Sequence, residues 1–145
     1  MVSRVRHFLL GALLSTCVVA CSSDKRTVEM HITEGDVWDS VEEFYYDNSD
    51  TLSLREIAIC LRYDKSYVAD SVTMNILTLS PSNLLYEEPF TLHIPHLSNM
   101  RPDEQTFSYR RNVMLMEEGR YMFRLTPHYP VEGISSVGII ISSEE

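Results

Sequence analysis

Between residues 120 and 125 every second side chain is large and apolar: Tyr121, Phe123 and Leu125 share one side, and Arg120, Met122 and Arg124 the other. Side chains repeat every two residues in a strand and every 3.6 in a helix, so this stretch can bury one face only as a strand. The same spacing recurs along the chain, while helical spacing is hard to find beyond residue 27. Val28, Met30 and Ile32 alternate with Glu29, His31 and Thr33. Ile57, Ile59, Leu61 and Tyr63 alternate with Glu56, Ala58, Cys60 and Arg62. Val72, Met74 and Ile76 share a face within 71–79, and Phe90, Leu92 and Ile94 alternate with Thr91, His93 and Pro95. Residues 137–142 form a last apolar strand, and 41–46 a weaker one. Turn signals punctuate these runs: Gly35-Asp36, Asp47-Asn48-Ser49-Asp50, Asp64-Lys65-Ser66, Ser80-Pro81-Ser82-Asn83, and Glu117-Glu118-Gly119, which reads as a hairpin-like turn. In 107–116 the apolar Phe107, Tyr109, Val113 and Leu115 share their parity with Arg111, so Arg111 either faces inward or marks a bulge. About eight short strands, spaced roughly 8–15 residues apart, predict an all-β fold: an antiparallel β-sandwich, jelly-roll-like, over residues 28–145.

The first twenty residues read differently. Arg4 and Arg6 form a positive head, and residues 8–19 (FLLGALLSTCVV) carry no charge. As a helix this apolar stretch would measure roughly 18 Å, short of the ~30 Å hydrocarbon core, so it reads as a cleaved signal helix and not a membrane span. Its end, Val18-Val19-Ala20-Cys21, resembles the bacterial lipobox. That resemblance implies a diacylglyceryl group on the Cys21 thiol and cleavage before Cys21. The expected organisation is a signal peptide over 1–20, a lipidated tether over 21–27 and the sandwich over 28–145. One acyl chain holds a protein only marginally, at about 0.8 kcal/mol per buried methylene, whereas two or three on Cys21 anchor it stably. The polar residues 22–27 give a reach near ~13 Å by the square-root rule, so the domain sits close to its membrane lipid.

The full chain has a net charge of −9, and losing Arg4 and Arg6 with the signal leaves −11. Such a chain repels phosphate backbones, which excludes general nucleic-acid binding, and it gains nothing from anionic lipid without a covalent anchor. Of three cysteines, Cys17 leaves with the signal and Cys21 takes lipid, so Cys60 is alone in the folded part, with no intramolecular disulfide open to it. Its setting, Ile57-Ala58-Ile59-Cys60-Leu61, is that of a buried small hydrophobe.

Motifs that carry chemistry are sparse. His93 and His96 are three apart and point to opposite faces of a strand, and zinc wants three or four ligands, so no metal or other cofactor is expected. The acidic pairs Glu42-Glu43, Glu87-Glu88 and Glu117-Glu118 read as solvated charge in turns or at strand ends. There is no phosphate loop and no nucleophile elbow, and the expectation is a protein that is not an enzyme. Trp38 and Tyr63 suit the core, whereas Tyr67, Tyr86 and Tyr129, read as loop residues, are candidates for a contact surface. Arg110 and Arg111 form a positive spot that could meet an acidic partner, or pair with a glutamate on a neighbouring strand.

Two segments carry a family likeness. One is Gly35-Asp36-Val37-Trp38-Asp39, followed by Phe44 and the strand around Ile57 to Tyr63. The other runs from Glu117-Glu118-Gly119-Arg120-Tyr121 through Val131-Glu132-Gly133-Ile134 to Val137-Gly138-Ile139. In these, and in its lipoprotein signal, the chain resembles the gliding-motility lipoprotein GldH family of the Bacteroidota. The resemblance implies a β-rich lipoprotein of the cell envelope, acting with other envelope proteins in gliding or the linked type IX secretion machinery. The stretch after Cys21 lacks an acidic run, which favours the periplasmic face of the outer membrane over the cell surface. A carbohydrate- or peptidoglycan-binding sandwich, with Tyr86 and Tyr129 stacking on sugar rings, is the alternative.

Overall fold

A computed structural model of the chain describes residues 26–96 and 102–144. The signal segment 1–20, Cys21, the tether up to residue 25, residues 97–101 of the 97–105 loop and residue 145 lie outside the described residues. Ten strands follow one another: β1 (Arg26–Ile32), β2 (Val37–Trp38), β3 (Glu42–Asn48), β4 (Leu54–Tyr63), β5 (Val72–Leu79), β6 (Leu85–Leu92), β7 (Asp103–Met114), β8 (Gly119–Pro127), β9 (Val131–Glu132) and β10 (Ile134–Ser143). Eight of them build two four-stranded antiparallel sheets, in the orders β1-β10-β4-β7 and β3-β8-β5-β6, and the short β2 and β9 pair as a ribbon. The eight long strands cross from sheet to sheet at every step except the β5–β6 hairpin, with β2 and β9 lying on the first and last crossings. Two Greek keys wound together in this way are a jelly roll, the fold expected from the strand spacing.

The two sheets face each other across one apolar core. Ile57, Ile59, Leu61 and Tyr63 of β4 and Val137, Ile139 and Ile141 of β10 meet Phe44, Met74, Ile76, Phe123 and Leu125 from the other sheet. Trp38 and Tyr63 are fully buried, as their composition suggested. Each such aliphatic or aromatic side chain contributes roughly 1.5–3 kcal/mol by leaving water. A second, smaller cluster of Ala58, Cys60 and Ile140 lies under Met30 on the outer face of the first sheet. Cys60 is buried there, and burial pushes its thiol up from the usual range. Gly138 makes this close packing feasible: a Cβ there would stand 2.5 Å from Met30 Cγ and 2.7 Å from the carbonyl oxygen of Glu29.

Several expectations need correction. The apolar set of β1 does not face the main core: Ile32 is 85% exposed and Met30 covers the outer cluster, while Glu29 and His31 turn toward β3. β1 is an edge strand, so its inner side meets a seam and not the middle of the core. Glu117-Glu118-Gly119 does not close a hairpin, because β7 pairs with β4 and β8 with β3 and β5. The turn passes from one sheet to the other. Tyr67 is 3% exposed and packs edge-on to Tyr63 at 5.8 Å, so it belongs to the core. Gly133, at φ +83, lets the chain pass so close that a Cβ there would lie 2.2 Å from Tyr67 N.

With no barrel closure, the sheets are joined along two side seams. Along the β1–β3 seam the His31 ring stacks on Phe44 at 4.4 Å and its Nδ1 lies 2.7 Å from Glu42 Oε2, while Glu29 accepts from Tyr45 N. The opposite seam, between β6 and β7, holds the chemistry described next.

Candidate functional site

β7 is irregular where it passes residues 109–113. Its register against β4 shifts on both sides of Ile57, so Tyr109 is an extra residue, Arg111 and Asn112 together stand against the single Glu56, and Asn112 adopts φ 54. Arg111 therefore marks a bulge. It points outward, where its Nε lies 3.2 Å from Glu56 on the neighbouring strand. The bulge twists Tyr109 and Arg110 toward the facing edge of the other sheet, β6, instead of leaving them on a flat free edge.

There they meet Tyr86 and Glu88. The Tyr109 hydroxyl donates to Glu88 Oε1 at 2.6 Å, the Tyr86 hydroxyl donates to Glu88 Oε2 at 2.9 Å, and the Arg110 guanidinium donates to Tyr86 Oη at 3.0 Å and to Glu88 Oε1. The guanidinium also lies over both rings, 5.3 Å from the centre of Tyr109 and 5.8 Å from that of Tyr86. Phe90 packs edge-on against Tyr109 at 5.1 Å. Behind this rim a cleft of about 170 Å³ runs in between the sheets, walled by Ile57, Thr78, Val113, Leu115 and Phe123.

The electrostatics of the rim are those of a clamp. The Tyr109 hydroxyl, then Tyr86 and Arg110, hold the Glu88 carboxyl below the usual carboxylate range. Burial, then the Glu88 carboxylate, pushes Tyr109 far up. The Tyr109 and Glu88 contacts raise Arg110 further. Near neutral pH Glu88 and Arg110 are charged and Tyr109 is not. A general acid or base works best with its pKa near the operating pH, and every shift here moves away from it. The rim can orient and seal; the apolar cleft behind it can take one apolar side chain or a short aliphatic group.

Of the residues singled out by sequence, the fold brings Tyr86 and Arg110 together and leaves Arg111 and Tyr129 apart from them. Tyr86 sits in β6 and not in a loop, with one ring face under Arg110. Tyr129 is 80% exposed beside a hollow of about 370 Å³ lined with Val68, Ala69, Val72, Pro130 and Val131, at the end of the sandwich formed by the 64–71 and 128–133 loops. Glu88 and Tyr109 were not anticipated. Glu87 and Glu88 stand in mid-strand opposite Leu77 and Ile76, so their reading as solvated turn charge is corrected. No local pattern could have shown this, because the partners of Glu88 come from the other sheet.

A second polar group deserves comparison. Ser40 Oγ donates to Glu42 Oε1 at 2.7 Å, and His31 Nδ1 lies 2.7 Å from Glu42 Oε2. Serine and histidine thus bind the same carboxylate and not each other, so the serine is not activated in the way nucleophilic catalysis needs. Among the described residues no group of three His, Cys, Asp or Glu side chains is placed to hold a metal ion. Among them, too, no helix is long and apolar enough to cross a membrane.

No protein-family model matches the chain, and no curated protein does. Among solved structures it is similar to dimeric latent PorU from Porphyromonas gingivalis, at 12% identity and a TM-score of 0.35, over 84% of this chain. The chain spans 13% of the length of that protein.

Proposed function

We propose that this chain is a non-enzymatic lipoprotein of the bacterial cell envelope, held to membrane lipid through Cys21. Its sandwich receives a partner protein at the β6–β7 cleft. In line with the resemblance to the GldH family, the complex it serves belongs to gliding or type IX secretion, and its place is the periplasmic face of the outer membrane. The observation that carries the binding role is the cleft itself: an apolar slot of about 170 Å³ behind a rim whose single carboxylate is answered by two hydroxyls and a guanidinium. A slot of that kind accepts an apolar anchor from a partner and excludes water around it. The anchor reading rests on Val18-Val19-Ala20-Cys21 and the short uncharged run before it. The net charge of −9 disfavours nucleic acid as the partner.

Two measurements test this. Cells fed labelled palmitate should label the protein, and Cys21→Ser should abolish the label; label that persists in the variant defeats the anchor. A photo-reactive amino acid at Glu87, exposed in β6 between the rim residues Tyr86 and Glu88, should give a discrete adduct with an envelope protein. Filling the slot with Val113→Trp should remove that adduct. An adduct indifferent to Val113→Trp would show that the cleft is not where the partner sits.

A further inference from the structure

The two ends of the sandwich differ. One end gathers the start of β1 at Arg26, the end of β10, and the loops 49–53, 80–84 and 115–118. Register fixes this grouping: Arg26 pairs with Ser142, Ser143 with Arg55, and Leu54 with Met114, while Asn48 pairs with Gly119 and Leu79 with both Met122 and Leu85. At this end Leu52, Leu54, Leu84, Leu85, Met114 and Met116 are all at least 40% exposed. They come from three separate loops and the strand ends beside them, and they ring one end of the molecule. An isolated exposed leucine needs no explanation; six around one end do.

Charge separates the ends as well. Near the apolar ring most carboxylates have partners within the fold, and Arg55 lies 3.8 Å from Asp50. Asp47 is paired with Arg120, Asp50 takes the Ser53 hydroxyl and the N–H groups of Leu52 and Ser53, and Glu117 takes both Ser80 and Ser82. Glu144 accepts from Asn112 N, and Glu118 faces solvent. The opposite end also exposes apolar groups, Ile32, Val68 and Tyr129, but it sets them among the exposed Glu34, Asp36, Asp39, Asp70 and Glu132. An anionic lipid surface repels that end more strongly than the first, where arginines offset two of the carboxylates.

We propose that the sandwich stands end-on in the lipid surface, with Leu52, Leu84 and Met116 dipping into the boundary between headgroups and acyl chains. This rests on the anchor reading: only five positions separate Cys21 from Arg26, and β1 begins at this same end. A tether of that length reaches roughly 12 Å, so lipid on Cys21 holds the apolar ring against the membrane. The loops then add their own apolar contact to the acyl anchor and set the orientation, leaving the acidic end and Tyr129 facing away.

The test uses the full, acylated protein in vesicles of phosphatidylethanolamine and phosphatidylglycerol. An environment-sensitive dye is placed on Leu84→Cys and Met116→Cys, and on Val68→Cys and Tyr129→Cys as far-end controls; buried Cys60 does not compete for the dye. Near-end dyes should shift to the blue and be quenched several-fold by brominated lipid, while far-end dyes keep their aqueous emission. Protein that floats with the vesicles but shows no quenching at any position overturns the end-on contact and leaves the anchor intact. Quenching at the far end reverses the orientation and also overturns it. Protein that does not float at all overturns both readings. Near-end dyes that shift without vesicles and sharpen with protein concentration assign the ring to a second copy of the chain, which overturns lipid as its occupant.

Discussion

Gly138 shows how one missing side chain sets the spacing between two strands. Its partner across the ladder is Met30, and a Cβ at 138 would press on Met30 Cγ at 2.5 Å and on the Glu29 carbonyl oxygen at 2.7 Å. The first neighbour is a flexible side chain and can move; the second is backbone and can move only if β1 shifts. Gly138→Ala should therefore cost about 1–3 kcal/mol, read as a lower midpoint in urea unfolding. Adding Met30→Ala should not restore it, and full restoration would show that the methionine alone was the obstacle. At this scale some of the structure was legible beforehand. The burial of Trp38 and Tyr63 follows from their residue type and that of Cys60 from its apolar surroundings in the chain, while the pairing of Arg111 with a neighbouring-strand glutamate is one of the two readings the sequence leaves open. Glu88 was not legible, because what makes it part of a site is a tyrosine and an arginine about twenty positions away in the other sheet. Nor was the burial of Tyr67, which depends on the bare backbone of Gly133 beside it.

At the scale of elements, a jelly roll without closed edges depends on what ties its sheets along their sides. The β6–β7 seam is tied chiefly through Glu88, whose carboxyl is held below its usual range by Tyr109 first and then by Tyr86 and Arg110. A carboxyl lowered on folding contributes stability that is complete above its unfolded pKa and disappears as pH falls through the folded value. The seam should thus loosen as pH drops below about 4.5, the ordinary value of a glutamate. Glu88→Gln should lower stability at pH 7 and flatten the loss as pH falls below about 4.5. Thermal melts at a series of pH values would show it, and an acid limb as steep as the wild type's would refute the role given to Glu88. Period-two spacing was enough to find most strands, including most of β4. It missed the first half of β6, an edge strand whose residues 85–87 and Pro89 are exposed and so carry no apolar alternation. It also made a hairpin of residues 117–119, since turn residues mark a reversal without saying whether the flanking strands pair.

For the molecule as a whole, the ends of the described chain lie side by side. β10 runs between β1 and β4, and Arg26 stands opposite Ser142. The two ends can therefore be joined by a hairpin-length linker of about 2–5 residues and the chain reopened in the exposed stretch 129–130. Such a permutant should keep the near-ultraviolet signal of Trp38, the single tryptophan, and unfold in one cooperative step. Loss of that signal would mean that the order of synthesis, and not the set of contacts alone, is needed to reach the fold. The same adjacency bears on how the molecule withstands load. A tug on the residues ahead of Arg26 travels along the axis of β1, and the bonds joining β1 to β10 run across that axis. All seven register positions from Arg26 to Ile32 then share the strain at once, as a lap joint does, where a pull at right angles would peel them apart one by one.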